Sequence, residues 1–168
     1  IGGRDNADSF YSPLRFAAQL IWFDSGYLEY TVPFSAERIK KAASFSLSAE
    51  ICSESPGYNE NWKSDIYFEV NGVRVCTYTS PGDFGGRKGN FTPPWWDEGT
   101  QYGILKKVEI NEDGTFLDGE KVSSVTLVDV HFKDSNVVTL RIGVDKDAKN
   151  KGGINLFGKK FGDYDKHI

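Results

Sequence analysis

Alternation with a period of two runs through most of this chain. Over residues 43–52 (ASFSLSAEIC) it is unbroken: Phe45, Leu47, Ala49 and Ile51 fall on one face, Ser44, Ser46, Ser48, Glu50 and Cys52 on the other. That pattern predicts a half-buried strand with a small, polar outer surface. Residues 27–34 (YLEYTVPF) alternate too, and they follow the apolar run 18–23 (AQLIWF) across Asp24-Ser25-Gly26. Two such runs joined by a glycine-bearing turn are expected to pair as a hairpin, with Pro33 at a strand end. Residues 65–70 and 73–79 flank Asn71-Gly72, the strongest short hairpin signal, because a type I′ turn needs positive φ at both central residues. Further strands are expected over 101–110, 115–117, 122–132, 137–144 and 154–157, with Asp113-Gly114 and Asp118-Gly119 as turns. Only residues 35–41 (SAERIKK) read as helix; Ser35 is its cap, and Arg38 stands where a capping box would have Glu. About nine short strands, frequent turns and one short helix predict an all-β, two-sheet antiparallel sandwich. The length suits a jelly roll better than an immunoglobulin-type domain.

One stretch escapes the pattern. Residues 80–102 (SPGDFGGRKGNFTPPWWDEGTQY) form a loop longer than the ~12–15 residues usual in compact domains. Phe84, Phe91, Trp95, Trp96 and Tyr102 make it too aromatic for a disordered segment. It is expected to pack over the β framework. Glycines 82, 85, 86 and 89 would allow positive φ or close backbone approach, and Pro93-Pro94 would stiffen the approach to the tryptophans. A second aromatic loop spans residues 53–63.

The 168 residues are enough for one domain with a two-layer core. Net charge is −4, and basic residues are scattered, which argues against direct nucleic-acid binding. No apolar run approaches the ~18 residues of a membrane span. The chain contains no methionine and begins at Ile1, which reads as a piece whose N-terminal part is missing. Cys52 and Cys76 both sit in strand patterns and read as buried, reduced thiols rather than a disulfide framework or a zinc site. No cofactor or metal is expected.

Nucleophilic catalysis has little support. His131 reads as a surface strand residue, His167 lies at the end of the chain, and neither has a serine or cysteine at telling spacing. The glycines at 82–89 lack the lysine-serine pair of a phosphate loop. Glu50, Glu54, Asp83 and Asp97 could supply the two carboxylates of a glycosidase, although most such acids are solvated or paired. The sharper reading is a non-enzymatic site for a carbohydrate or similar polar molecule. Trp62, Trp95, Trp96 and Tyr102 offer flat faces, Asp83, Arg87 and Gln101 offer hydrogen bonds, and Glu50, Glu54 and Asn155 are further ligand-binding candidates. Against it, one indole of the 95–96 pair reads equally well as core, and Asp83 with Arg87 as an ion pair that only pins the loop.

Five runs carry a family likeness: AQLIWFDSGYLEY, SAEICSESPGYN, TSPGDFGGRKGNFTPPWW, TQYGILK and GGINLFGKKFGDY. From about residue 14 onward they resemble the C-terminal domain of a group of bacterial winged-helix regulators of the ArsR type. Glu50, Ser53, Glu54, Asp83, Arg87, Trp95, Trp96, Gln101 and Tyr102 match that pattern, while Cys76 and Lys107 depart from it. The resemblance implies a galactose-binding-like jelly roll that senses a small-molecule effector in the cytoplasm. It also implies a DNA-binding winged helix ahead of Ile1, through which contact with DNA would be made, with homodimerisation left open. The alternatives are a carbohydrate-binding module of a secreted enzyme and a ligand-free dimerisation domain.

Overall fold

The computed structural model describes Asp8 and residues 11–166; Phe10 and His167 lie outside them. Ten strands follow in order: β1 (Leu20–Phe23), β2 (Gly26–Pro33), β3 (Phe45–Cys52), β4 (Ser64–Val70), β5 (Val73–Ser80), β6 (Ile104–Ile110), β7 (Thr115–Leu117), β8 (Glu120–Ser123), β9 (Val137–Val144) and β10 (Ile154–Phe157). They form a six-stranded sheet, β1-β10-β3-β6-β7-β8, and a four-stranded sheet, β2-β9-β4-β5, antiparallel throughout. With the β7–β8 hairpin set aside, each sheet holds four strands. The chain changes sheet at every connection except β4–β5, which is the jelly-roll order.

The local reasons follow the residues. Asn71 and Gly72 both adopt positive φ, 49° and 79°, and close the β4–β5 hairpin. Asp118 and Gly119, at 53° and 92°, do the same between β7 and β8. Ser35 caps α1 (Ala36–Lys41), its hydroxyl accepting from the Arg38 amide at 3.3 Å, and the helix buries Ile39. Ile51, Ile66, Phe68, Val108, Ile110, Ile142, Val144, Ile154 and Leu156 fill the space between the sheets.

Two expectations are corrected. Residues 18–23 and 27–34 do not form a hairpin: β1 pairs with β10 in one sheet and β2 with β9 in the other. Alternation reports which face is buried, not which sheet a strand joins, and the Asp24-Ser25 turn carries the chain across the sandwich. Residues 122–132 are not extended beyond β8. The Thr126 amide and hydroxyl both donate to Asp129, at 2.8 and 2.7 Å, and wind the segment into turns. His131 therefore sits in a turn at φ 51°, against Asp134, and not on a strand face.

The outer face of the larger sheet carries the site. Register places Trp22 beside Asn155 and Asn155 beside Cys52 in one row, and Leu20, Phe157 and Glu50 in the next. The outer surface of β3 is small and exposed only at Ser46 and Ser48; Glu50 and Cys52 are fully buried. What covers them is the long loop together with residues 158–164. Cys52, Phe157 and Phe161 form a second small core there, joined by Leu20, Phe84 and Trp96. The sandwich thus gains a third layer over one end.

Glycine explains how that layer closes. None of Gly82, Gly85, Gly86 and Gly89 is among the residues with positive φ. Their role is close approach: a Cβ on Gly82 would overlap the Glu60 carbonyl, and one on Gly85 would overlap the Tyr58 ring. The 53–63 loop therefore lies directly on the long loop. Gly82→Ala is expected to lower stability by about 1–3 kcal/mol, because the obstacle is backbone and cannot rotate away. Urea unfolding checks this; an unchanged midpoint would contradict it.

Candidate functional site

Two adjoining clefts open where these layers meet. The smaller, about 270 Å³, is lined by Leu20, Trp22, Glu54, Ser55, Pro56, Gly57, Trp96, Glu98, Gly99, Thr100 and Asn155. Its size is near the lower end of the ~300–1,000 Å³ typical of ligand pockets. Trp22 and Trp96 meet edge to face, with centroids 6.3 Å apart. Trp96 is fixed by its indole N–H, which donates to the Thr100 carbonyl at 3.0 Å, and by Phe161 at 5.3 Å. At the base, the Asn155 carboxamide donates to the Ser53 carbonyl at 2.7 Å and the Glu54 carboxylate at 2.8 Å. The second cleft, open and about 650 Å³, shares Ser55 and Pro56 and adds Tyr58, Asn59, Glu60, Trp62 and Gly86.

Of the residues singled out from sequence, Glu54, Trp96 and Asn155 come together in the smaller cleft and Trp62 in the larger. Glu50, Asp83, Arg87, Gln101 and Tyr102 build the frame, while Trp95 and Asp97 face solvent. Glu50 accepts from the amides of Gly103 at 2.8 Å, Asp163 at 2.7 Å and Tyr164 at 2.9 Å, and so ties the residues after Gly158 to the sheet. Burial pushes its carboxyl pKa up, against the pull of those three amides. Asp83 is fully buried; it accepts from the Ser55 amide at 3.0 Å and hydroxyl at 3.3 Å, and from the Cys52 thiol at 3.8 Å. It lines neither cleft and instead fixes the ridge between them. Burial raises the pKa of Asp83, and burial followed by the charge of Asp83 raises that of Cys52 well above the ordinary thiol value. Cys52 and Cys76 are unbridged.

The expected Asp83–Arg87 ion pair is absent, and Arg87 faces no cleft. Its guanidinium forks onto Asp163, at 3.0 and 2.5 Å, and lies over the Tyr102 ring, which stacks on Phe84. Gln101 is buried and donates to the Trp96 carbonyl at 3.3 Å, so it shapes the loop rather than facing a ligand. The 95–96 pair divides: Trp95 is 74% exposed and meets Trp96 in a T-shaped contact, and Trp96 is the member packed against the outer core. Asp97 is exposed, 3.9 Å from Lys88. Trp22, Glu98 and Thr100 were not singled out from sequence. Trp22 stood inside an apolar run, and only its register with Asn155 brings it to the site.

The Arg87–Asp163 clasp gives a pH signature. Arg87 holds the Asp163 carboxyl below the usual carboxylate range. A lowered native pKa contributes stability above the unfolded value of ~3.9, and that contribution is lost as pH falls through the native one. Asp163→Asn is expected to be about 1 kcal/mol less stable than the parent at neutral pH, since Arg87 is half exposed. The difference should vanish in acid; denaturant unfolding at both pH values checks the sign.

Among the described residues, no group of acidic, histidine and cysteine side chains is arranged to hold a metal ion, and no helix is long and apolar enough to cross a membrane. No protein family, curated protein or solved structure matches the chain.

Proposed function

We propose that this domain binds a carbohydrate or similar small polar molecule in the Trp22–Trp96 cleft. We further propose that this binding is the sensing step of a cytoplasmic transcription regulator whose DNA contacts are made by another domain. One observation carries the binding part: two indole rings, a buried carboxamide and carboxylates line one small cleft. Sugars present apolar C–H faces and a rim of hydroxyls, and such a site offers both kinds of partner. The regulatory part rests on the sequence resemblance alone. A sensing role requires that the guest bind the DNA-competent and DNA-incompetent states with different affinity.

The reading is of a binder, not an enzyme. Glu50 and Asp83, two of the carboxylates weighed for glycoside hydrolysis, are fully buried, engaged by backbone donors, and outside both clefts.

Isothermal titration of the chain against neutral sugars, amino sugars and polyols tests the first part. Operator affinity of the longer protein, with and without the bound sugar, tests the second. If no sugar binds, a ligand-free dimerisation role takes the place of the proposal. If a sugar binds but operator affinity does not move, a carbohydrate-binding module does.

A further inference from the structure

We infer that the guest is held as a hydrogen-bond donor, through a free hydroxyl that donates to Oδ1 of Asn155 at the base of the smaller cleft. Resting on the carbohydrate reading above, this narrows the guest to sugars and polyols whose hydroxyl at that position is unsubstituted.

The orientation of the Asn155 amide is fixed by its neighbours. Its Nδ2 lies 2.7 Å from the Ser53 carbonyl, 2.8 Å from the Glu54 carboxylate and 3.5 Å from the Thr100 hydroxyl oxygen. All three accept, and the flipped amide would set oxygen against oxygen, so the nitrogen has to face them. Oδ1 then has no donor among the described residues, although Asn155 is only 1% exposed. An unpaired buried acceptor costs about 1–3 kcal/mol, which a donating guest recovers.

The other side-chain donors of the cleft are turned into the frame. The Ser55 hydroxyl donates to Asp83 at 3.3 Å, the Thr100 hydroxyl hydrogen-bonds to the same carboxylate, and the Trp96 indole N–H is taken by the Thr100 carbonyl. Among the described residues lining the cleft, the side-chain donor left to a guest is the indole N–H of the partly exposed Trp22. A group that only accepts, such as an ether or a carbonyl, finds nothing from the Asn155 side chain. A hydroxyl finds a fixed oxygen. Asn155 is paired with Trp22 on one side and Cys52 on the other, so its position is set before any guest arrives. Cross-strand neighbours stand about 4.5–5.5 Å apart at Cβ, which brings a hydroxyl of a ring lying on Trp22 within reach of Asn155.

Titration of the chain with glucose, galactose and mannose, each beside its single-deoxy and single-deoxyfluoro analogues, tests this. Fluorine is close to a hydroxyl in size and can accept weakly, but it cannot donate. At the position that meets Asn155, the deoxy and the fluoro analogue should both bind about ten-fold or more weakly than the parent sugar. Asn155→Ala should weaken the parent sugar and erase that difference, so that all three bind alike. Should Asn155→Ala not fold, the analogues on the native chain decide alone. A fluoro analogue that binds like the parent wherever the deoxy one is weakened overturns the inference and leaves the carbohydrate reading intact. So does a series in which no position matters, or a ten-fold penalty that survives in a folded Asn155→Ala. No binding by any of these sugars overturns both.

Discussion

Replacing Glu50 by alanine is expected to remove about 3–5 kcal/mol of folding stability, because it orphans three backbone donors at about 1–3 kcal/mol each. Glu50 is fully buried, and its two oxygens serve three backbone amides from two separate stretches, Gly103 on one side and Asp163 and Tyr164 on the other. Alanine would leave all three donors facing a void. Glutamine keeps one oxygen, the one that takes two of the amides, but turns an NH₂ toward the Tyr164 amide. Its loss should be nearer the ~1–3 kcal/mol of one unsatisfied donor. Hydrogen exchange should show the Gly103, Asp163 and Tyr164 amides losing protection in Glu50→Ala. A midpoint within error of the parent would remove Glu50 from this role. The pH sign is opposite to that of Asp163. Burial raises the native pKa of Glu50, so its contribution is fullest below the ordinary carboxylate value and falls as pH rises through the raised one. Glu50→Gln should abolish that fall, while Asp163→Asn abolishes the loss on the acid side.

The second large effect separates neighbouring tryptophans. Trp96→Ala is expected to lower stability by about 3 kcal/mol and to abolish sugar binding, because the ring fills the outer core and also forms a wall of the smaller cleft. Trp95→Ala, at a side chain that is mostly solvated, should stay within about 0.5 kcal/mol of the parent. Trp96→Phe should recover part of the stability but not the bond to the Thr100 carbonyl. Urea unfolding paired with titration reads both quantities. Equal effects at the two positions would mean that the division between core and surface is misplaced.

The β architecture was legible because alternation, Asn71-Gly72 and Asp118-Gly119 act over a few residues. Sheet membership was not. β1 and β2 look like a hairpin because nothing in either strand says that its partner is β9 or β10. Residues 122–132 look extended by composition, but Thr126 and Asp129 offer the backbone a nearer bond than a neighbouring strand. The candidate site was half legible for a related reason. Residue type marked Glu54, Trp62, Trp96 and Asn155 as ligand chemistry, and they line the clefts. The same chemistry in Glu50, Asp83, Arg87 and Gln101 is used to hold loops together. For Glu50, Asp83 and Arg87, which use is taken depends on groups brought from 28 or more positions away, as with Asp83 and Ser55. Trp22 shows the converse: a residue that looks like core and becomes a wall because β1 lies at the edge of the sheet.

The two thiols, finally, make a clock that needs no added label. Cys52 is sealed under the outer layer, whereas Cys76 belongs to the main core between the sheets. An alkylating reagent reaches the first, which has no exposed surface, only when the covering loop lifts, whereas the second, on the edge strand β5, keeps a little exposed surface and reacts without that opening. The ratio of their reaction rates therefore measures how often the lid opens on an otherwise intact domain, and a guest seated against Trp96 would slow the first rate far more than the second.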